Sequence, residues 1–161
     1  MTSISNAIKR PERCYIVNID ENETMTCLFN PVQLAEKITV HWNRKVVPGL
    51  PYQVLQYQST GNRQLPGVEF YMDQILANER SENRSDISQF RDFLRRLTQP
   101  SSQGVAPTRA LVVWPNLLSM KAVLTELEFR YQQFAADGTV MRYTAVCSFE
   151  EAKLLRTIAH Q

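Results

Sequence analysis

The chain has 161 residues, 43% of them hydrophobic and 21% charged, with a formal net charge of +2. That length suits one domain able to bury about two-thirds of its unfolded surface, and the composition is that of a globular rather than a disordered protein. The charge is too small to imply nucleic acid by itself, no apolar run reaches the ~20 residues of a membrane-spanning helix, and MTSISNAIKRPER lacks the apolar core of a signal peptide, so synthesis in the cytoplasm is expected.

In chain order, residues 1–12 read as an N-terminal arm. The first patterned unit is RCYIVNI-DEN-ETMTCLF, with Tyr15, Val17 and Ile19 on one strand face and Met25, Cys27 and Phe29 on one face of the next. Side chains alternate with period two, so these sets meet only if odd positions pair with odd. A three-residue loop at Asp20, Glu21 and Asn22 achieves this, with Asn22 in the left-handed region. The same register predicts Cys14 and Cys27 on opposite faces. With no C-x-x-C spacing, Cys14, Cys27 and Cys147 are expected as buried, reduced thiols.

After Phe29 comes Asn30-Pro31. Proline has a fixed φ and no N–H, and it pushes the preceding residue out of the α region, so the dipeptide predicts a corner. The stretch 44–67, punctuated by Pro48, Gly49, Pro51, Pro66 and Gly67, reads as irregular. GVEFYMDQI (67–75) alternates as a strand. One helix follows, with Ser85 as N-cap, Asp86 in the first turn, Ile87, Phe90, Leu94 and Leu97 at helical spacing, and Pro100 as the stop. Its other face carries Arg91, Asp92, Arg95 and Arg96, with an Asp92–Arg96 pair expected. RALVVW (109–114) reads as a buried strand ended by Pro115.

A long hairpin closes the domain. Val123, Leu127, Phe129 and Tyr131 share one face of the first strand, and Glu126, Glu128, Arg130 and Gln132 the other. A loop at Ala136, Asp137 and Gly138 sets Met141, Tyr143, Ala145, Cys147 and Phe149 opposite the apolar face. Residues 151–161 read as a tail with helical character. The expected fold is mainly β with a minor helical part, an antiparallel sandwich or small barrel of six or seven strands over residues 13–150, flanked by one helix.

Chemistry is sparse. The five glycines form neither G-x-G-x-x-G nor a P-loop, and no ligand spacing surrounds His41 or His160. No G-x-S-x-G elbow supports a nucleophile. Glu126 and Glu128 alternate with Arg130 along a polar face, which fits a solvated or subunit-facing surface better than a carboxylate pair. No catalytic residue, cofactor or metal is expected. Two competing readings follow from what is left: a single-stranded nucleic-acid-binding barrel using Arg91, Arg95 and Arg96, and an enzyme with a site around His41.

The order of elements resembles the contractile injection system tube-protein family of phage tails and tail-like particles. The residues that carry the resemblance are Phe29-Asn30-Pro31, then Trp42, then Pro48-Gly49, then Val54, Leu55, Gln56 and Tyr57. Gly61, Arg63 and Leu65 opening a strand that ends near Asp73, and a final hairpin turning at Asp137-Gly138, complete it. The resemblance implies a tail-tube β fold and a ring, expected to hold six copies, at the tube–baseplate junction, as tube initiator or hub adaptor. The main inner-tube subunit is the alternative role. The implied partners are other copies of the chain and neighbouring tube, spike-hub and baseplate proteins, with no membrane and no specific nucleic acid. The implied location is a virion or an extracellular or cell-associated injection particle. Glu126, Glu128, Arg130 and Arg142 are the candidate subunit-interface residues.

Overall fold

Period-two alternation produces strands here, and the sheet they build is open. The computed structural model describes residues 12–80, 86–100 and 106–153. Among these are strands β1 (Tyr15–Asn18), β2 (Glu23–Thr26), β3 (Val40–Lys45), β4 (Val54–Thr60), β5 (Gln64–Asp73), β6 (Ala110–Trp114), β7 (Leu118–Phe134) and β8 (Val140–Glu151). The helices are α1 (Gln74–Arg80) and α2 (Ile87–Leu97). Six strands form an antiparallel sheet in the order β2-β1-β6-β7-β8-β5, while β3 and β4 pair as a separate ribbon. The helices lie against β5, β7 and β8. Phe90, Phe93, Leu94 and Leu97 of α2 bury themselves with Phe70, Met120, Tyr143 and Phe149 of the sheet.

The mainly β, antiparallel class is thus as expected, with two corrections. The sheet does not close into a barrel, and a second helix follows β5 where Gln74 and Ile75 read as strand. Asp73 is the reason. Its Oδ1 accepts from the N–H of Ile75 at 2.9 Å and of Leu76 at 3.3 Å, the bonds of an N-cap, so the strand converts to helix at that residue. The expected cap of α2, Ser85, lies outside the described residues. Asp86 caps the helix instead, accepting from Ser88 N–H at 2.9 Å. The N-terminal arm over residues 1–11 and the tail from 154 onward also lie outside the described residues, while β8 itself runs on to Glu151.

Two registers differ from expectation. In the first hairpin Ile16 pairs with Met25 and Asn18 with Glu23, so Cys14, Ile16 and Asn18 face the core rather than Tyr15, Val17 and Ile19. Buried Asn18 is what hides this phase: its Oδ1 accepts from Glu21 N–H at 3.1 Å and builds the turn, with Asn22 left-handed at φ 52°. In β7 the register shifts between Leu124 and Glu126. The extra residue swaps the faces, so Leu124 rather than Val123 joins Leu127 and Phe129 on the core side. Beyond it the final hairpin keeps the expected pairing, with Leu127 opposite Cys147, Phe129 opposite Ala145, and Gly138 at φ 87°, interrupted by a further irregularity around Gln133.

Asp73 also holds β8: its Oδ2 accepts from Arg142 Nε at 3.0 Å and from the Tyr71 hydroxyl at 3.3 Å. Burial alone would raise this carboxyl, but hydrogen bonds from Leu76, Arg142 and Ile75 hold it below the ordinary carboxylate value. A depressed folded value stabilises the fold above the unfolded value of about 3.9 and loses that contribution as pH falls through the folded one. Asp73→Asn keeps an oxygen for the cap but not the charge facing Arg142. It is expected to cost about 1–3 kcal/mol at neutral pH in urea titrations, and the gap to wild type is expected to shrink below about pH 4. A gap that does not change with pH would refute the charge argument.

Candidate assembly interface

The corner after β2 is built by one side chain. Asn30 Oδ1 accepts from Cys14 N–H at 2.7 Å, and Asn30 Nδ2 donates to the Glu12 carbonyl at 2.9 Å. The carboxamide presents an acceptor and a donor as a peptide group does, so it stands in for the next residue of the ladder while the backbone turns away. Pro31 is buried and Val32 projects fully into solvent. Phe29 lies beside Tyr71 with centroids 6.1 Å apart. Together with Pro66, Gly67 and Glu69 these residues line an open groove of about 880 Å³.

From the corner the chain runs to a second anchor. Lys37 and Gln64 exchange backbone hydrogen bonds, both 2.8 Å. Gly61 N–H donates to the Thr39 carbonyl at 2.7 Å, and a Cβ at Gly61 would lie 3.0 Å from that oxygen, which explains the glycine. Arg63 sits between Glu151 at 3.3 Å and Glu36 at 3.6 Å, and Leu65 is fully buried. The stretch that reads as irregular therefore holds β4, the end of β3 and the start of β5.

Beyond the anchor, β3 and β4 extend as a ribbon whose side chains are exposed apart from half-buried Val54. Pro48 and Gly49 are the central residues of its turn. Gly49 has φ 88° and Leu50 N–H donates to the Val47 carbonyl at 3.2 Å, the pattern of a type II turn. Trp42 lies within β3, opposite Tyr57, with ring centroids 5.7 Å apart and edge to face. Arg44 is opposite Leu55 on the same side, and Asn43 opposite Gln56 on the other. Trp42 is 50% exposed, Tyr57 59% and Leu55 50%, and Ile38, Val46, Leu50 and Tyr52 are exposed nearby. These last four were not signalled by any pattern, because period-two alternation marks a buried face and the ribbon has none.

The remaining interface candidates fall into two groups. Glu126, Glu128 and Arg130 lie on the sheet face away from the helices, with Arg130 Nε 3.0 Å from Glu128 and Nη1 4.0 Å from Glu69. Glu128 and Glu69 raise the Arg130 guanidinium above its ordinary value. Arg142 is engaged inside the subunit by Asp73. At the hairpin tip Asp137 Oδ1 accepts from Thr139 N–H at 3.0 Å, which lowers the carboxyl and shapes the turn.

The helix arginines are also committed. Arg95 lies 5.4 Å from the Phe129 ring centroid and donates to the Tyr131 hydroxyl at 3.2 Å. Arg96 Nη2 reaches both Glu23 oxygens at 2.7 and 2.8 Å, so Asp92 sits 4.0 Å from Arg95 and not beside Arg96 as expected. Both cations pack the helix onto the fold, which weighs against the nucleic-acid reading. Among the described residues no cluster of three or more His, Cys, Asp or Glu is placed to hold a metal.

Residues 12–159 match the family model of the contractile injection system tube protein. No curated protein sequence matches the chain. The chain belongs to the contractile injection system tube proteins, a structural rather than catalytic family whose members assemble with themselves and with other components of an injection particle.

Asn30→Ala removes a donor and an acceptor and leaves Cys14 N–H and the Glu12 carbonyl without that partner. It is expected to destabilise the protein by about 1–3 kcal/mol. Asn30→Asp keeps the acceptor for Cys14 but sets a carboxylate against the Glu12 carbonyl, and is expected to be as costly or worse. Denaturant titration of the three proteins checks this, and an unchanged midpoint for Asn30→Ala would show that the corner holds without its clamp.

Proposed function

We propose, with that family membership as the premise, that the protein forms a closed ring at the tube–baseplate junction, as tube initiator and adaptor to the spike hub. The exposed β3–β4 ribbon carries the assembly reading. A two-stranded ribbon is marginally stable in water by itself, and contiguous exposed aromatic and aliphatic surface marks an interaction site. Residues 37–68 contain Lys37, Arg44, Lys45 and Arg63 and no acidic residue. The sheet face beside the Pro31 groove carries Glu69, Glu126 and Glu128 against Arg130. The ribbon of one copy therefore complements the groove and acidic face of the next in both polarity and charge. Such a contact joins two different surfaces, and it makes a ring when the rotation closes. Six copies are the expected number. The role is mechanical: the ring anchors the tube and transmits force while the surrounding sheath contracts, with no substrate turned over.

The family's description as a tube protein favours a second reading, the main inner-tube subunit, in which the same contacts recur along the particle. Copy number separates the two. Quantitative mass spectrometry of gradient-purified particles is expected to find one ring's worth of the chain per particle. Copies in proportion to tube length would make it the main tube subunit.

Trp42→Ser combined with Tyr57→Ser removes half-exposed surface and one edge-to-face ring pair, so the isolated chain is expected to lose no more than about 2 kcal/mol of unfolding free energy. Incorporation into particles is expected to fall at least tenfold. Normal incorporation of a stably folded double variant would overturn the ribbon as the interface.

A further inference from the structure

Cys14 and Cys27 end the β1–β2 ladder as a directly opposed pair. The register that sets Tyr15 against Thr26 makes them the next residues across the strands, and Cys27 N–H donates to the Cys14 carbonyl at 2.9 Å. The return bond is absent, because Cys14 N–H is given to Asn30 at 2.7 Å. Directly opposed residues of this kind have Cα atoms about 5.5 Å apart, inside the roughly 4.4–6.8 Å that a disulfide spans. The missing return bond leaves this end of the ladder room to adjust. Both side chains face the core at 1% and 0% exposure, and each thiol shifts the titration of the other. Cys147 is placed otherwise, on β8 opposite Leu127 and Val68, and is not a cross-strand partner of Cys14 or Cys27.

We propose that Cys14 and Cys27 are a redox-active dithiol, converted by small-molecule disulfides into an intramolecular bond that locks the first hairpin to the Asn30 corner. This is a modification site independent of the assembly reading. Access comes from the edge of the sheet, since β2 is an outermost, four-residue strand and opening is cheapest at such margins. The neighbouring Cys27 thiol holds the Cys14 thiol below its ordinary value, while Cys14 and burial raise Cys27, so Cys14 supplies the attacking thiolate. Cys14 Sγ attacks one sulfur of the external disulfide and expels one thiolate. Cys27, losing its proton, then attacks Cys14 Sγ and expels the second. The protein loses two electrons and two protons, and the oxidant leaves as two thiols.

The test is oxidation of the intact, folded chain by oxidised glutathione at about pH 8, where thiolate is available, followed by alkylation, peptide mapping and thermal unfolding. The expected result is a Cys14–Cys27 linkage with Cys147 recovered as a free thiol. A cross-link closing so short a loop is expected to raise the unfolding midpoint by roughly 5–10 °C, reversibly with dithiothreitol. Cys27→Ser is expected to stop at a glutathione adduct on Cys14 with no rise in midpoint. If that variant does not fold, the wild-type map and midpoint decide the question alone. Three free thiols after prolonged exposure, a linkage through Cys147, or an unchanged midpoint would each overturn the proposal.

Discussion

A backbone that leaves a sheet still has N–H and C=O groups to satisfy, and here one carboxamide meets that demand. Asn30 answers the Glu12 carbonyl and the Cys14 N–H, so β1 stays paired past the point where β2 ends. Three features depend on that substitution of side chain for strand. Pro31 follows at once, which an ordinary ladder residue would forbid, and the chain is redirected toward the second anchor at Lys37 and Gln64. Phe29 and Pro31 are left to line the groove beside Tyr71. Cys14, deprived of its bond to Cys27, faces that residue with only one tie across the strands. The corner joins the core, the groove and the ribbon.

Where one face of a strand is buried, alternation reveals it. Tyr143, Ala145, Cys147 and Phe149 are almost fully buried in β8, and their partners in β7 follow from the turn at Gly138. The failures have local causes. The segment CYIVNI is apolar in both phases, and the outward phase looked better only because Asn18 counts as polar. In the fold Asn18 is buried, and its carboxamide oxygen serves the turn. The shift after Leu124 adds a residue that composition does not mark. Asp73 read as a strand terminus and is one, but the same carboxylate begins a helix, and the apolar spacing of α1 is too short to show it.

Residues of the candidate interface stand out in the sequence by position, but the geometry each one takes does not. Pro48-Gly49, Gly61 and Arg63 stand out in the sequence, yet only coordinates show a type II turn, a close backbone approach and an arginine shared between two glutamates. Arg142 looked like a surface cation, and Asp73 claims it. Most of the ribbon's apolar surface escaped notice for a simple reason. Hydrophobic patterning is a record of burial within the chain, and residues such as Val46, Leu50 and Tyr52 are exposed in their own subunit.

The division between a helix-covered sheet and a bare ribbon bears on how copies meet. A stable core leaves the subunit folded before assembly, so the cost of fixing the ribbon falls on the assembly step. The sign of its charge then limits which contacts are open to it. Two ribbons laid aromatic face to aromatic face would bring Arg44 of one copy toward Arg44 of another, and like charges brought together across a contact cost free energy. That disfavours the two-fold contact which would end assembly at a dimer. A ribbon meeting the Glu69, Glu126 and Glu128 face of a neighbour carries no such penalty, and each copy so engaged still offers a ribbon of its own. Under the proposed reading, the charge of the ribbon excludes the closed pair while its aromatic face supplies the attraction, and what remains is the head-to-tail contact from which rings are made.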